Sequence, residues 1–231
     1  MKKLLAATFV ALLMVGCGED SKKPPEDSLE SNQTSTDIPT VKFSEVAEVG
    51  LDDPETLKGI MAQAIDRRKL KMTGKLYYAP NEQTPYTGWG KDMYDNGQIH
   101  RRWQYKDGKL DGLWTHYWRE NGQKLQEINL KDGKNDGLAT SWYKDGQKKE
   151  EGNWKNGKMD GPWTKWYKNG QKWEERIYKD GKLMSAITWK LNGEKCPETN
   201  VVDGNGVWVR YRDDGTEWRR DTYKGGKEVY D

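Results

Sequence analysis

The feature that most constrains the fold is a phrase that the chain repeats. WYKDGQ occupies residues 142–147 and WYKNGQ occupies residues 166–171, so the two copies are 24 residues apart. Glycines that follow Asn or Asp recur at about the same spacing. One series is Gly97, Gly122, Gly146, Gly170, Gly193 and Gly215, and a second is Gly108, Gly133, Gly157 and Gly181, ending more loosely at Gly226. Self-similarity at a fixed period indicates a repeat array in which each unit packs on its neighbours.

Each unit is predicted to be a β-hairpin. Asn-Gly and Asp-Gly pairs between alternating side chains favour type I′ turns, and two such turns per 24 residues indicate two strands per unit. In the second strands one column is largely aromatic: Tyr105, Leu130, Trp154 and Tyr178. The columns that alternate with it are polar, with Arg102, Glu127, Glu151 and Glu175 in one of them. This pattern predicts one aromatic and one polar face on an elongated antiparallel meander of about ten to twelve strands.

One unit is longer than the others. It carries an extra residue between Gly112 and its Asn-Gly pair, which predicts a β-bulge around residues 117–120.

Residues 41–73 are predicted to form a helical cap on the repeats. Asp53 suits an N-cap and Pro54 the first helical position. An apolar stripe follows at helical spacing, namely Leu57, Ile60, Met61, Ala64 and Ile65. A helix of about three turns is not stable alone, so the stripe must dock, either on the first strands or on a partner protein.

The beginning of the chain has the pattern of an export signal. Lys2 and Lys3 precede about a dozen apolar or small residues, a run that is too short to span a membrane. The run ends in Met14-Val15-Gly16-Cys17, which resembles a bacterial lipobox. The resemblance implies cleavage after residue 16, lipidation of Cys17 and sorting to the outer membrane of a bacterial cell envelope. The alternative is a signal peptide that is cut elsewhere and leaves Cys17 an ordinary thiol.

Residues 17–40 are predicted to be a disordered tether. Only Leu29 and Ile38 are bulky and apolar among the residues that follow Cys17, which cannot offset the entropy of ordering. Removal of residues 1–16 leaves 37 of the 39 basic side chains against 37 acidic ones. A balanced charge without a basic block disfavours a nucleic-acid partner.

The residues 74–231 contain no arrangement that predicts catalysis, a cofactor or a metal site. His100 and His116, the only histidines, lack a second ligand at metal-binding spacing and are interpreted as cross-strand contacts. The Asp-Gly pairs that begin at Asp111, Asp136 and Asp160 are interpreted as turn residues. With Cys17 assigned to the lipid, Cys196 has no partner within the chain and is interpreted as a small packed side chain. The alternatives for Cys196 are an interchain disulfide and a reactive thiol.

The phrase WYKNGQ…EGNWKNGKMDG resembles the bacterial variant of the MORN repeat, over residues 74–227. Gly152, within EGNW, matches a glycine that MORN units place near the end of a strand. The resemblance implies a twisted ribbon sheet with an aromatic groove that contacts proteins or lipids. It also implies an immunity or antitoxin role as an alternative, because many bacterial relatives are labelled antitoxins.

The aromatic residues predict the functional surface. All twelve tryptophans and all twelve tyrosines lie at or beyond Tyr77, more than a thin sheet needs for packing. The candidate partner surface comprises Trp114, Trp142, Trp163, Trp166, Trp173, Tyr143 and Tyr167. We expect a membrane-anchored, non-enzymatic scaffold that binds an envelope protein through Trp and Tyr anchors. The alternative ligand is a glycan such as peptidoglycan, whose sugars would stack on the same rings.

Overall fold

The computed structural model describes residues 51–212 and 214–230. The predicted signal peptide, Cys17 and the tether lie outside these residues. One α-helix, α1 (Pro54–Gln63), and a short 3-10 helix, Arg67–Lys69, precede most of the strands. The strands are β1 (Ile65–Asp66), β2 (Lys71–Thr73), β3 (Leu76–Tyr78), β4 (Gly88–Met93), β5 (Ile99–Lys106), β6 (Lys109–Tyr117), β7 (Lys124–Lys131), β8 (Lys134–Trp142), β9 (Lys148–Lys155), β10 (Lys158–Trp166), β11 (Lys172–Lys179), β12 (Lys182–Thr188), β13 (Gly206–Tyr211), β14 (Glu217–Lys224) and β15 (Lys227–Val229).

The predicted antiparallel meander is confirmed. Strands β4 to β12 follow one another in a ten-stranded sheet, and each pairs with its sequence neighbour. The tenth strand, β1, pairs in parallel with β4. After the ten-stranded sheet, β13 to β15 form a separate three-stranded sheet. The chain between residues 188 and 206 makes this break, although Ala186 N still donates to Val201 O at 3.3 Å.

The two turns of each unit differ from each other. At the second glycine series both central residues have positive φ, for example Asn156 (50°) and Gly157 (81°), so these are the type I′ turns predicted. At the first series only the glycine has positive φ. Gly146 N donates to Tyr143 O at 3.0 Å and Tyr143 N to Gln147 O at 2.9 Å, which closes a three-residue loop. The prediction of type I′ geometry is therefore wrong for this series, whose glycine completes a type I turn and bulge.

A register shift occurs just before nearly every one of these three-residue loops. It lies between Ser141 and Trp142 in one unit and between Lys165 and Trp166 in the next. The longer unit has its own shift between His116 and Tyr117, so the predicted bulge is present. The neighbouring units have the same shift, so the bulge does not result from the extra residue. The extra residue is instead absorbed by a wider loop, in which Gly122 N donates to Trp118 O at 2.9 Å.

Hydrogen bonds join each type I′ turn to the preceding unit. Gly157 N donates to Asn135 O at 2.8 Å, and Asn156 N donates to Asp136 Oδ2 at 2.9 Å. Asp160 accepts from Asp180 N in the same way at 3.0 Å. The recurring Asp-Gly pairs thus bind the backbone of the next unit, whereas the sequence indicated only local turn residues. This contact fixes the spacing of consecutive units.

The sheet has two distinct faces, which we name by what lies on them. Residues that pair across consecutive strands share a face. The groove face carries Trp103, Trp114, Ile128, Ala139, Gly152, Trp163, Arg176 and Ala186. The helix face carries Arg102, Thr115, Glu127, Thr140, Glu151, Thr164 and Glu175.

Helix α1 covers the first strands of the helix face, as predicted for a cap. Asp53 is the N-cap, accepting from Thr56 N at 2.8 Å, and Pro54 begins the helix. Ile60 and Met61 pack with Trp89 and Leu113 in one buried cluster. Ile65, expected at the end of the helical stripe, instead lies in β1 and packs near Trp103 on the groove face.

We predict that Gly152→Ala destabilises the repeat domain. A Cβ at this position would lie inside the van der Waals radius of the buried Trp163 ring. Because the ring is rigid, the overpacked strand pair should lose about 1–3 kcal/mol in the free energy of unfolding. Urea denaturation followed by circular dichroism measures this loss.

Gly59→Ala is the matched control, because Gly59 lies in helix α1 with no atom within 4 Å of an added Cβ. It should be neutral or stabilise by up to about 1 kcal/mol. Equal changes in the free energy of unfolding for the two substitutions would show that the packing of the Trp163 ring does not require Gly152.

Candidate functional site

The structure divides the predicted partner surface between the two sides of the sheet. Trp114 and Trp163 lie on the groove face. Trp142 and Trp166 lie beyond Thr140 and Thr164 on the helix face, each at a register shift. The expectation of a single aromatic face is therefore wrong. The columns that led to it came from the second strands, whereas these two tryptophans belong to first strands.

A triad of Lys, Glu and Trp recurs on the helix face. In one example, Lys148 Nζ lies 2.6 Å from Glu151 Oε2 and 5.6 Å from the centroid of the Trp166 ring. The three triads are Lys124–Glu127–Trp142, Lys148–Glu151–Trp166 and Lys172–Glu175–Trp189. Each triad places a cation over an indole ring and a carboxylate beside the cation.

The triads become more accessible along the sheet. The lysine side chains are 22%, 43% and 51% exposed at Lys124, Lys148 and Lys172. The first is covered because Asp52, just before helix α1, pairs with Lys124 at 2.7 Å. The cap therefore occupies the first triad and leaves the second and third open among the described residues. The glutamates of the polar column are thus engaged with lysines, as expected of a solvated face.

Tyr143 and Tyr167 bind the next unit. Tyr143 Oη donates to Trp166 O at 2.8 Å and Tyr167 Oη donates to Trp189 O at 2.9 Å. Tyr94 makes the same bond to Tyr117 O at 2.8 Å. This contact explains why Tyr follows Trp in the repeated phrase. In the longer unit Trp118 stands at this position instead, and its Nε1 has no hydrogen-bond partner among the described residues.

Trp173 and Tyr167 form a stacked pair. Their ring centroids are 4.8 Å apart with an interplanar angle of 11°. Tyr167 is buried and Lys165 Nζ lies 3.7 Å from the centroid of the Trp173 ring. Trp173 therefore contributes to a cleft near the end of the sheet rather than to the triads.

Cavities lie between the side chains of the groove face. One of about 270 Å³ lies among Trp103, Trp114 and Leu130, and one of about 90 Å³ lies between Trp154 and Trp163. The Trp163 side chain is buried, and its Nε1 donates to Glu150. Trp114 is half-buried.

The histidines and Cys196 make packing contacts. His100 and His116 are ring neighbours with centroids 4.9 Å apart, as predicted for cross-strand contacts. Burial lowers the pKa of both imidazoles, and the neighbouring His100 lowers that of His116 further. Cys196 is buried and forms no disulfide within the described part of the chain, and its Sγ lies 3.1 Å from Tyr211 Oη, a contact of the kind expected for a packed side chain. In residues 51–212 and 214–230, no three His, Cys, Asp or Glu side chains cluster as metal ligands would.

The sequence pattern predicted the wrong environment for Arg102. It stands in the polar column that was expected to face solvent, yet its side chain is fully buried. Its Nε donates to Thr115 Oγ1 and its Nη1 to Leu51 O, each at 3.1 Å. The guanidinium also lies over the Trp89 ring at 5.6 Å. The cap buries this arginine, and the repeat pattern carries no signal for that contact.

We predict that Tyr143→Phe and Tyr167→Phe each lower the free energy of unfolding by about 0.5–1.5 kcal/mol. Each change removes the hydroxyl that bonds the next unit while keeping the ring. Chemical denaturation of the single variants measures the loss. Tyr230→Phe is the control, since Tyr230 is 84% exposed. Losses no larger than that of the control would show that these bonds do not hold the units together.

Comparisons with known proteins agree with the repeat geometry. Residues 135–156 and 159–180 each match the MORN repeat variant family, and the two segments span β8–β9 and β10–β11. The search found no curated protein that matches the chain. In residues 51–212 and 214–230, no helix combines the length and apolar character that crossing a membrane requires. MORN repeats are typically protein- or membrane-interaction repeats that form a scaffold. Two units of this chain are therefore similar to the MORN repeat variant.

Proposed function

We propose that the protein is a lipid-anchored scaffold of the bacterial cell envelope, which holds a partner protein on the helix face of its repeat sheet. It acts by binding rather than by catalysis and needs no cofactor. The observation that carries this proposal is the pair of open triads at Trp166 and Trp189, which continue the series begun at Trp142.

The triads suit a protein partner. Matching positions two strands apart stand about 10 Å from each other, so the face presents regularly spaced indole rings. Trp is among the side chains that contribute most to interface affinity, and paired charges around it make a polar rim. Since each Lys is neutralised by its own Glu, the rim favours no ligand of strong net charge.

The contact at the capped triad supports a mode of binding for such a ligand. Asp52 adds a carboxylate to Lys124 from a segment that packs on the same face. A partner protein that carries an acidic side chain beside an apolar one would repeat this contact at Lys148 or Lys172. The contact between Asp52 and Lys124 is therefore the one that we expect a partner protein to repeat.

The anchor belongs to the same proposal. Acyl chains on Cys17 would fix the protein to the membrane more firmly than one chain alone can. The repeat sheet would then meet partners close to the membrane surface.

We predict that Cys17→Ser releases the protein from the membrane fraction. The serine variant cannot carry the thioether-linked lipid, so metabolic labelling with a radioactive fatty acid should be lost together with membrane association. Cys196→Ser is the matched control, since this buried thiol should leave both unchanged. Labelling that survives Cys17→Ser would overturn the anchor.

We predict that a photo-crosslinking amino acid at Trp142 or Trp166 captures one dominant protein in intact cells. The product is identified by mass spectrometry, and its identity would separate a structural envelope protein from an incoming toxin. Substitution at Trp154, on the strand after Trp142 but on the groove face, is the matched control and should give no such product.

The glycan alternative gives a different result in the same experiment. No protein adduct would form, and the purified protein without residues 1–16 would sediment with cell-wall sacculi. Adducts of equal yield from Trp142, Trp166 and Trp154 would contradict the assignment of the partner to the helix face.

A further inference from the structure

A cleft near the end of the ten-stranded sheet is separate from the triads. Its volume is about 590 Å³, within the range of small-molecule sites. Strands β10 and β11 line it from one side and β13 and β14 from the other. Its chemistry comes from Lys165, Glu174, Arg176, Arg210, Trp173 and Trp218.

Lys165 has no close ion pair. Its side chain is half-buried on the Trp173 ring, and no carboxylate of the described residues lies within ion-pair distance of its Nζ. Its cross-strand neighbours Glu150 and Glu174 attract the ammonium, but burial has the larger effect and lowers its pKa. An anion in the cleft would contact the ammonium directly.

The arginines of the cleft add positive charge. Arg176 is about nine-tenths buried, and its Nη2 donates to Glu150 at 2.8 Å. Arg210 pairs with Asp221. Glu174 is the buried carboxylate beside Arg176, 3.7 Å from its Nε, and burial raises the pKa of Glu174. The lining as a whole carries more cations than carboxylates, namely Lys165, Arg176, Arg210 and Arg212 against Glu174 and Asp214.

Aromatic rings hold these cations in place. Trp208 lies between the two arginines, with its centroid 5.5 Å from Cζ of Arg176 and 4.5 Å from Cζ of Arg210. Arg210 also lies over Trp218 at 5.2 Å, and Trp218 is 47% exposed. Trp218 therefore offers indole surface to a ligand, whereas Trp208 is buried by its neighbours.

We infer that this cleft binds a small carboxylate that is carried on a ring. The carboxylate accepts from Lys165 Nζ beside the positive charge of the arginines, and the ring covers the exposed part of Trp218. Charge-assisted hydrogen bonds and an aromatic contact supply the affinity. The cleft lies toward the groove face, so its occupation does not depend on the partner proposed for Trp142 and Trp166.

The test is isothermal titration calorimetry of the protein without residues 1–16. Two ring carboxylates, benzoate and glucuronate, are compared with their neutral counterparts, benzamide and glucose. At least one carboxylate should bind about tenfold or more tightly than its neutral counterpart, the difference expected of one charge-assisted contact. Which of the two binds better distinguishes a flat aromatic acid from an acidic sugar.

Lys165→Met keeps the apolar stem on Trp173 and removes the charge. It should weaken carboxylate binding about tenfold or more, while Trp218→Ala should weaken binding of the ring compounds but not of acetate. Lys168→Met is the matched control, because Lys168 is exposed outside the cleft. Circular dichroism spectra that superimpose would confirm that all three variants fold.

Two results would overturn the inference. Binding of neither carboxylate at millimolar concentrations would exclude the site. Equal affinity in the Lys165→Met and Lys168→Met variants would exclude the proposed role of the ammonium.

Discussion

The contact between each type I′ turn and the unit before it is the constraint on which the rest of the structure depends. Asn156 and Gly157 both hold positive φ, and this conformation turns their N–H groups toward Asp136 and the carbonyl of Asn135. Asn, Asp and Gly are the residues that adopt this geometry at least cost. The turn and the interface between units are thus specified by the same residues. A change in the turn pair would alter both.

The three-residue loop is the second constraint on the structure, because the register shift beside it places neighbouring tryptophans on opposite faces of the sheet. A register shift before the loop breaks the strict alternation of side chains. Trp166 keeps the alternation from Thr164 and lies on the helix face near Lys148, whereas Trp173, the extra residue at the shift, lies near Lys165 on the other side. In the repeated phrase, the Trp lies on the helix face and the Tyr hydrogen-bonds to the backbone of the next unit.

The regular part of the molecule was predictable from the sequence because it is local. Spacing between glycines indicated the strands β4 to β12, and the N-cap at Asp53 indicated the start of α1. The split of the aromatic residues between faces was not predictable from columns of second strands alone. Neither was the parallel strand β1 nor the burial of Arg102, because both depend on a segment outside the repeat period.

The same reasoning explains why cations, rather than aliphatic side chains, complete the packing of so many rings. A sheet one layer thick leaves most indoles half-buried, and a long basic side chain covers the ring while its charge reaches water or a carboxylate. Lys148 does this beside Glu151, within its own unit. Lys165, on β10, covers the Trp173 ring between its cross-strand neighbours Glu150 and Glu174 without a close ion pair. Arg210 and Trp218, which belong to the second sheet, complete the cleft beside it, so a ligand site is expected where that sheet meets the array rather than within the regular repeats.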